Sequence, residues 1–470
     1  MFENSIIIKL LSNLGFWFSN QFDNSMVINL FLTQNDRKEN VDNSIFNKLF
    51  YNFIRVFRSI FSKLNIDKIF EGSIYRISFI WCFLAIVFAP LIPTMLVLLL
   101  CLASCFSLLL EFICNKEKKL KYFPINKYIY LYAFAYLFAT FTSVTIKGSL
   151  LGGMLTTLFI LFFIVLINSI ENRKQLHLVL FFMIFIGVLI SFYGFYQFIF
   201  PDKFTNVWHD KDLFSDISFR VYSTLENPNV LGEYFLLVIP FSCAYIFTSR
   251  TILSKIFFVI CSGIMMLCLI LTYSRGCYLG ILFSAAVFLV LYDKRFIWLG
   301  IIGIVLLPFI LPETIINRFL SIGNMNDSST SYRVYIWLGT IAMLKDYWFC
   351  GVGPGIDAFN MVYPAYAFNS ISAPHSHNLF LQIISDTGIV GFIIFICVLY
   401  QYYKFSCVAL KKENNKKTRV FNIAVISSIT GFMVQSMADY TFYNYRITFL
   451  FWAVLAIGIL FAKFSVTKEA

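Results

Sequence analysis

Charged residues are scarce in this chain of 470 residues, since Asp, Glu, Lys and Arg together make up 13% of it. A soluble domain averages about 25% charged and 45–50% apolar residues, whereas this chain is 59% hydrophobic and contains 57 Phe. That much apolar surface cannot be hidden from water, so lipid must be its solvent. The low charge content excludes a soluble globular protein and indicates an integral membrane protein.

The side chains that build metal and phosphate sites are also few. The chain has four His, and its eleven Cys are an odd number without a CxxC pair. The motif GVGPG at 351–355 lacks the strand–loop–helix setting and the Lys-Ser/Thr of a P-loop, so we interpret it as a tight loop. We expect no metal, no cofactor and no disulfide.

Apolar segments that are long enough to cross a bilayer dominate the rest of the chain; a spanning helix needs about 20 residues. Twelve such segments follow residue 75, without an internal repeat or an intervening soluble domain. The sequence therefore predicts an all-α membrane domain over residues 75–465 with about twelve transmembrane helices. The segments are approximately 75–90, 91–113, 127–145, 149–169, 177–200, 229–248, 255–273, 276–292, 296–312, 377–401, 420–438 and 446–463.

Residues 1–70 are predicted to be a cytoplasmic segment that does not span the membrane. Within "SIFNKLFYNFIRVFRSIFSKL", apolar residues follow one helical stripe and Lys and Arg occupy the other faces. This pattern is typical of a basic amphipathic helix on a membrane surface, although a packed helix of a small soluble domain has the same periodicity. The N-terminus "MFENSIIIKL" has an acid where a signal peptide would be basic, so we expect no cleaved signal. The stripe consists of Phe46, Phe50, Phe53, Phe57, Ile60, Phe61 and Leu64.

The distribution of basic residues predicts the orientation. With a cytoplasmic N-terminus, the inner loops carry about twice as many Lys and Arg as the outer loops, as the positive-inside rule requires. The net charge of +12 then reflects inner loops and anionic lipid rather than nucleic-acid binding. Both termini are predicted to be cytoplasmic. The predicted extracytoplasmic segments are 201–228, 272–276, the long polar loop 313–376, and 439–446.

Two arginines lie on the predicted outer face, where topology gives no reason for them. Arg275 stands in "YSRGCYLG" between two apolar helices, and Arg220 precedes the helix that begins near Asn227-Pro228-Asn229. Each has an ordinary alternative, because Arg275 could snorkel to lipid phosphates and Arg220 could be a simple loop charge. Arg318 and Arg333 in the long loop are further candidates of the same kind.

Two histidines mark the point where the long loop re-enters the membrane, in "APHSHNLFLQIISDTGIVGF". His377 and Asn378 are predicted in the first turn of the tenth helix, whose positive dipole end disfavours an imidazolium ion. A histidine there should stay neutral and be able to accept a proton. The alternative is helix capping by Ser376 or Asn378, with the histidines merely at the interface.

Two acidic residues fall inside predicted helices, Asp386 in the tenth and Glu233 near the start of the sixth. An acid at such a depth needs a partner or a water-filled cavity. Asp386 could anchor an arginine, or both acids could be coupling sites of a transporter. Because the polar candidates collect at one face rather than at the midplane, an outer-face site is the favoured interpretation.

Several motifs occur in the order and spacing of a known family: "ENPNVLGEYF", "TYSRGCYLG", "SYRVYIWLGTIAMLKDYWFCGVGPGIDAF" and "PHSHNLFLQIISDTGIVGF". With them the chain resembles the O-antigen ligase-like family, which includes O-antigen ligases and some bacterial polysaccharide polymerases. The resemblance covers about residues 180–460, and its closing part is "MADYTFYNYRITFLFW".

The resemblance implies a GT-C-like glycosyltransferase with its active site on the outer face of the cytoplasmic membrane. The implied donor is a glycan on undecaprenyl diphosphate, and the implied acceptor is a hydroxyl of a glycan, lipid or protein, with no metal or nucleotide sugar. Arg275 and Arg220 are implied to hold the diphosphate, and His377 is implied to be the general base. A ligase and a polymerase both remain open, and a secondary transporter of a small solute or anion is the alternative. Further residues expected to contact substrate are His375, Arg333, Asn378 and Arg318.

Overall fold

The computed structural model describes residues 45–65, 77–204, 219–310, 312–321, 323–324, 327–413 and 415–466. The chain divides into two compact units, Met1–Ile66 and Asp67–Ala470. The described part of the first unit is helix α1 (Ile45–Lys63) and the turn after it. On α1 the side chains of Phe53 and Ile60 are exposed and that of Ile54 is buried. The position of α1 on a membrane surface stays a prediction, and the rest of residues 1–70 lies outside the described part.

The described residues of the second unit form helices and short 3-10 turns, with no strand. One helix occupies each of the twelve predicted apolar segments, and three more (α11 to α13) lie in the predicted long loop. In chain order the helices are α2 (Ile77–Phe88), α3 (Thr94–Cys114), α4 (Asn126–Phe141), α5 (Ile146–Ser169), α6 (Arg173–Ile199), α7 (Pro228–Thr248), α8 (Ile252–Ile270), α9 (Arg275–Tyr292), α10 (Phe296–Ile310), α11 (Glu313–Leu320), α12 (Ser328–Tyr347), α13 (Ile356–Val362), α14 (Leu379–Lys412), α15 (Lys416–Ser436) and α16 (Tyr445–Val466).

Within the described part, eight helices are long and apolar enough to cross a membrane: α3, α5, α6, α7, α8, α9, α14 and α16. The chain is therefore a multi-pass, all-helical membrane protein. The four remaining helices at predicted segments are shorter (α2, α4 and α10) or carry more polar residues (α15). The predicted total of twelve spans stays a prediction.

Helix α16 forms the centre of the bundle. Its side chains are almost all buried, including Trp452, and it packs against α5, α14 and α15. A helix that is apolar on all sides belongs in such a position. Helices α9 and α15 approach closely at two glycines, since a Cβ on Gly280 would lie 2.7 Å from the Gly431 carbonyl oxygen. This contact brings the start of α9 close to the end of α15.

Helix α14 is interrupted at Gly388, whose φ of +68° and ψ of −176° suit glycine almost exclusively. The backbone groups that the break releases bind the loop after α12. The Ile389 N–H donates to the Trp348 carbonyl at 2.8 Å, and the Val352 N–H donates to the Ser385 carbonyl at 2.6 Å. Non-helical backbone in a membrane helix needs protein partners of this kind. The GVGPG motif thus packs against the break in α14.

The stretch 313–376, predicted as a long polar loop, is largely helical. Helix α12 begins after Asp327, whose side chain caps it by accepting the Thr330 N–H at 2.9 Å. Such a cap satisfies one of the free N–H groups at a helix start. The stretch also has its own small apolar core, formed by Ile336, Met343, Val352, Ala358, Phe359, Val362, Tyr363 and Ala373.

Candidate active site

Three of the four candidate arginines line one cavity of about 270 Å³. Arg275 comes from the start of α9, Arg333 from α12, and Arg220 from the segment before α7. None of the described residues that line it is acidic. We call this space the arginine cavity. Its other polar lining residues include Asn229, Ser274, Ser329, Thr330, Trp337 and Gln435.

Arg275 is held by two partners across the cavity wall. Its guanidinium donates to Asp327 Oδ1 at 2.7 Å and to Ser321 Oγ at 2.8 Å. Burial acts to raise the pKa of Asp327, but the hydrogen bond and charge of Arg275 outweigh it and lower that pKa overall. The ion pair is mostly buried, with 10% of the Arg275 side chain exposed. Asp327 and Ser321 therefore fix the orientation of the Arg275 guanidinium, as an arginine fork requires.

The other two arginines donate hydrogen bonds to neutral groups of the protein. The Arg220 Nε donates to the Thr272 carbonyl at 2.9 Å, and a terminal nitrogen donates to Asn229 Oδ1 at 3.2 Å. A terminal nitrogen of Arg333 donates to Ser329 Oγ at 2.5 Å, while its Nε is buried and makes no hydrogen bond within the described part of the chain. Arg220 and Arg333 thus add two further guanidinium groups to the cavity lined by Arg275.

His377 forms a dyad with a carboxylate that the sequence analysis did not single out. Its Nδ1 lies 3.2 Å from Asp439 Oδ1. Burial acts to raise the pKa of Asp439, but the hydrogen bond and charge of His377, with Arg333, hold it below its ordinary range. A carboxylate only accepts hydrogen bonds, so Nδ1 carries a proton, and in the neutral form of the ring Nε2 presents its lone pair. This tautomer is the one a general base needs.

Asn229 connects this dyad to the arginine cavity. Its Nδ2 donates to Asp439 Oδ2 at 2.8 Å, and its Oδ1 accepts from Arg220. Trp337, another lining residue, donates its indole N–H to the His377 carbonyl at 3.2 Å. Thus the histidine dyad stands beside the cavity and shares its wall.

His375 is a buried neighbour of His377. Its Nδ1 accepts the His377 N–H at 3.3 Å, and its ring packs on those of His377, Tyr440 and Tyr443. Burial, together with the charge of His377, lowers the pKa of His375 to about 3. The contact supports the left-handed backbone of His377, which has a φ of +48°. His375 is therefore a neutral support for His377.

Asn378 caps α14, so the helix begins at Leu379, after the predicted first turn at His377. The Asn378 Oδ1 accepts the Phe380 N–H at 2.9 Å, and its Nδ2 donates to the Met437 carbonyl at 2.7 Å. Both ends of this amide are bound within the protein, and its contact with substrate stays a prediction. The capping alternative is what the structure shows at Asn378.

The remaining candidates lie apart from the cavity or outside the described part. Arg318 belongs to α11, but its side chain is outside the described part. Asp386 binds Gln382 and two tyrosines, and among the described residues it pairs with no arginine, contrary to the idea that it anchors one. Glu233 accepts from Gln435 Nε2 at 3.3 Å. In the described part, no three His, Cys, Asp or Glu residues form a cluster that could hold a metal.

Three site residues could have been found from signals in the sequence. Asp439 opens the outer segment "DYTFYNYR", and Asn229 was noted only as a helix-start marker. Asp327 precedes "SSTSYR" as an N-cap would. Their roles depend on pairings between distant segments, 62 positions apart for His377 and Asp439, which local patterns do not reveal.

Part of the chain resembles a known protein family. Residues 257–396 match the family model described as O-Antigen ligase. Over these residues the chain is similar to the O-antigen ligase family. The matched region contains Arg275, Arg333 and both site histidines, whereas Arg220 and Asp439 lie outside it. The resemblance noted in the sequence is thereby confirmed.

A curated relative points in the same direction. The chain is 31% identical over 86 residues to a Rickettsia felis protein named "Putative polysaccharide ligase". The alignment covers 18% of this chain and 18% of the relative. The chain thus spans less than a fifth of that relative in the match.

Proposed function

We propose that this protein transfers a glycan from an undecaprenyl-diphosphate-linked donor to an acceptor hydroxyl. The observation that carries the proposal is the arginine cavity, where Arg220, Arg275 and Arg333 converge beside the His377–Asp439 dyad. A diphosphate leaving group needs cationic, planar donors, and a weakly nucleophilic hydroxyl needs a base. Both requirements meet at one place in this fold.

The cavity suits the reacting centre of such a donor rather than the whole molecule. Its volume of about 270 Å³ lies just below the ~300–1,000 Å³ of typical small-ligand sites. The diphosphate and the sugar attached to it would be enclosed, while the lipid tail and the distal glycan would extend beyond. Donor specificity for distal sugars would then depend on surfaces outside the cavity.

In the proposed step one proton is transferred, one bond forms and one bond breaks. His377 Nε2 takes the proton of the acceptor hydroxyl while the oxygen of that hydroxyl attacks the anomeric carbon of the donor sugar. The bond between that carbon and the diphosphate oxygen breaks, and undecaprenyl diphosphate leaves with the electron pair. Asp439 stabilises the imidazolium ion, and the arginines stabilise the charge that develops on the diphosphate. The second effect is expected to be the larger contribution.

We further propose that this reaction takes place at the outer face of the cytoplasmic membrane in a GT-C-like fold of twelve spans. The support is the excess of Lys and Arg in the predicted inner loops. The acceptor could be a lipid, a protein or a second lipid-linked glycan, which covers both ligase and polymerase activity. A transporter is not favoured, because its candidate coupling acids, Glu233 and Asp386, have hydrogen-bond partners of their own.

The test uses purified protein in proteoliposomes with an undecaprenyl-diphosphate oligosaccharide and a panel of acceptors. We expect product from the wild type and losses of about 100-fold or more in His377→Ala and Arg333→Ala, given the usual size of base and electrostatic contributions. Arg295→Ala is the matched control, because Arg295 is 88% exposed and lies on a predicted inner loop. Full activity in the Arg333 and His377 variants, or solute uptake without transfer, would contradict the proposal.

A further inference from the structure

A buried acid underlies the histidine dyad without touching the arginine cavity. Asp386 lies in α14 two residues before the break at Gly388, and its side chain is almost completely buried. Its Oδ1 accepts from Gln382 Nε2 at 2.8 Å. Its Oδ2 accepts two longer hydrogen bonds, from the hydroxyls of Tyr136 at 3.4 Å and Tyr440 at 3.5 Å. The described groups that interact with it electrostatically are tyrosines: Tyr132, Tyr136, Tyr440 and Tyr445.

One connection runs from Asp386 to the backbone between the two histidines. The Gln382 Oε1 accepts the N–H of Ser376 at 2.7 Å. Because the Gln382 carbonyl is used in this way, its NH2 group must find an acceptor, and Asp386 supplies one. The carboxylate therefore fixes the orientation of the Gln382 amide. That amide in turn fixes the peptide between His375 and His377.

A second connection runs through Tyr440. The Tyr440 hydroxyl donates to Asp386, and its ring packs on His375 at 5.3 Å between centroids. The Tyr440 backbone N–H donates to Asp439 Oδ1 at 2.9 Å. This is the same oxygen that lies against His377. Tyr440 thus contacts His375, which supports His377, and Asp439, which is the carboxylate partner of His377.

From these two connections we infer that Asp386 is a positioning residue for the His377–Asp439 dyad. It acts through Gln382 on the histidine backbone and through Tyr440 on the acid side of the dyad. This inference rests on the proposed function, since it assigns a role in the same reaction. A positioning role explains why a carboxylate lies buried beside the break in a membrane helix, where a polar group is costly unless it has a structural or functional role. Buried networks of this kind tend to fix a single geometry when every member is satisfied.

The test compares Asp386→Asn with Thr387→Val in the full-length protein. Thr387 is the matched control: it is the adjacent buried residue, and its hydroxyl donates to the Ile383 carbonyl within the same helix. Asparagine keeps the shape of the aspartate but cannot accept from Gln382 and both tyrosines together. We expect Asp386→Asn to lower kcat at least tenfold with little change in donor KM, because a displacement of about 1 Å can cost about 100-fold. We expect Thr387→Val to retain kcat.

A double variant separates positioning from simple destabilisation. Gln382→Leu breaks the link to Ser376. If both residues act on the same geometry, the fold loss of kcat in the double variant should be smaller than the product of the two single-variant losses. The inference would be overturned if the two kcat losses simply multiplied in the double variant. It would also be overturned if the activity lost in Asp386→Asn equalled the fraction of protein that is no longer folded. Equal kcat values for Asp386→Asn and Thr387→Val would also overturn it.

A spectroscopic measurement keeps the inference testable even if no transfer is found. In ¹⁵N-histidine-labelled protein, the wild type should show His377 protonated at Nδ1 and free at Nε2. Asp386→Asn should give a mixture of tautomers for His377, and Thr387→Val should not. An unchanged His377 signal in Asp386→Asn would overturn the positioning role. Absence of transfer by the wild type would instead count against the proposed function.

Discussion

Replacement of Asp439 by Asn is the sharpest perturbation of the dyad. The carboxylate accepts three hydrogen bonds, from His377 and the Tyr440 N–H on Oδ1 and from Asn229 on Oδ2. An amide has one acceptor end and one donor end. If its carbonyl faces Asn229, its NH2 faces His377 Nδ1 and favours the tautomer whose Nε2 is already protonated. If its carbonyl faces His377, Asn229 must turn, and Arg220 loses its hydrogen bond to Asn229 Oδ1.

The first orientation disables the base, and the second disturbs the hydrogen bonds that link the dyad to Arg220. Removal of a working general base costs about 10²–10⁴-fold in rate, which corresponds to about 3–5 kcal/mol of transition-state free energy. We therefore expect Asp439→Asn to lower kcat by about that factor while donor KM changes far less. The assay is initial-rate glycan transfer in proteoliposomes, with the folded fraction measured by size-exclusion chromatography.

The matched control is Asp346→Asn, an acid-to-amide change at an exposed residue that accepts a hydrogen bond from Tyr366. Exposed substitutions usually change stability by less than about 0.5 kcal/mol, so its rate should stay near that of the wild type. An Asp439→Asn variant with a rate within about threefold of the wild type, less than 1 kcal/mol, would refute the dyad.

Three other predictions follow from the same structure. Arg275→Lys should lower activity more than tenfold and raise donor KM, because a lysine cannot span Asp327 and substrate as a planar fork does; steady-state kinetics would show it. Gly388→Ala should lower the thermal unfolding midpoint, because its Cβ would lie 1.8 Å from the Phe349 carbonyl oxygen. Thermal unfolding scans would compare it with Gly263→Ala, whose Cβ would meet nothing within 4 Å. The lowered pKa of His375, about 3, means that the unfolded chain binds more protons below about pH 6.5. Stability should then fall by up to about 1.4 kcal/mol per pH unit from there towards pH 3, and unfolding scans of His375→Asn should show a weaker dependence.

The membrane helices could be predicted because hydrophobicity is a local property. Each of the twelve apolar segments contains a helix. Helix α14 continues to Lys412, past residue 401, where the predicted apolar segment ends. The stretch 313–376 was predicted as a loop because its composition is polar. It forms helices because Asp327 caps α12 and because side chains such as Phe359 are packed in a local core.

The site could be predicted only in part. The residue types and their predicted common face made Arg220, Arg275, Arg333 and His377 candidates, since cations on a predicted outer face and a helix-start histidine stand out in an apolar chain. Their partners are set by tertiary contacts across long separations. Asp386 illustrates the limit, because Gln382 is four positions away whereas Tyr136 is 250 positions away.

The most direct test of the proposed activity measures both products of one reaction. Wild-type protein in proteoliposomes would be supplied with a labelled undecaprenyl-diphosphate oligosaccharide and acceptor, without ATP or a nucleotide sugar. The proposal predicts glycosylated acceptor and free undecaprenyl diphosphate in equal amounts, and neither product from His377→Ala. An intact donor after incubation with the wild type and every acceptor class, or equal product from His377→Ala, would contradict it.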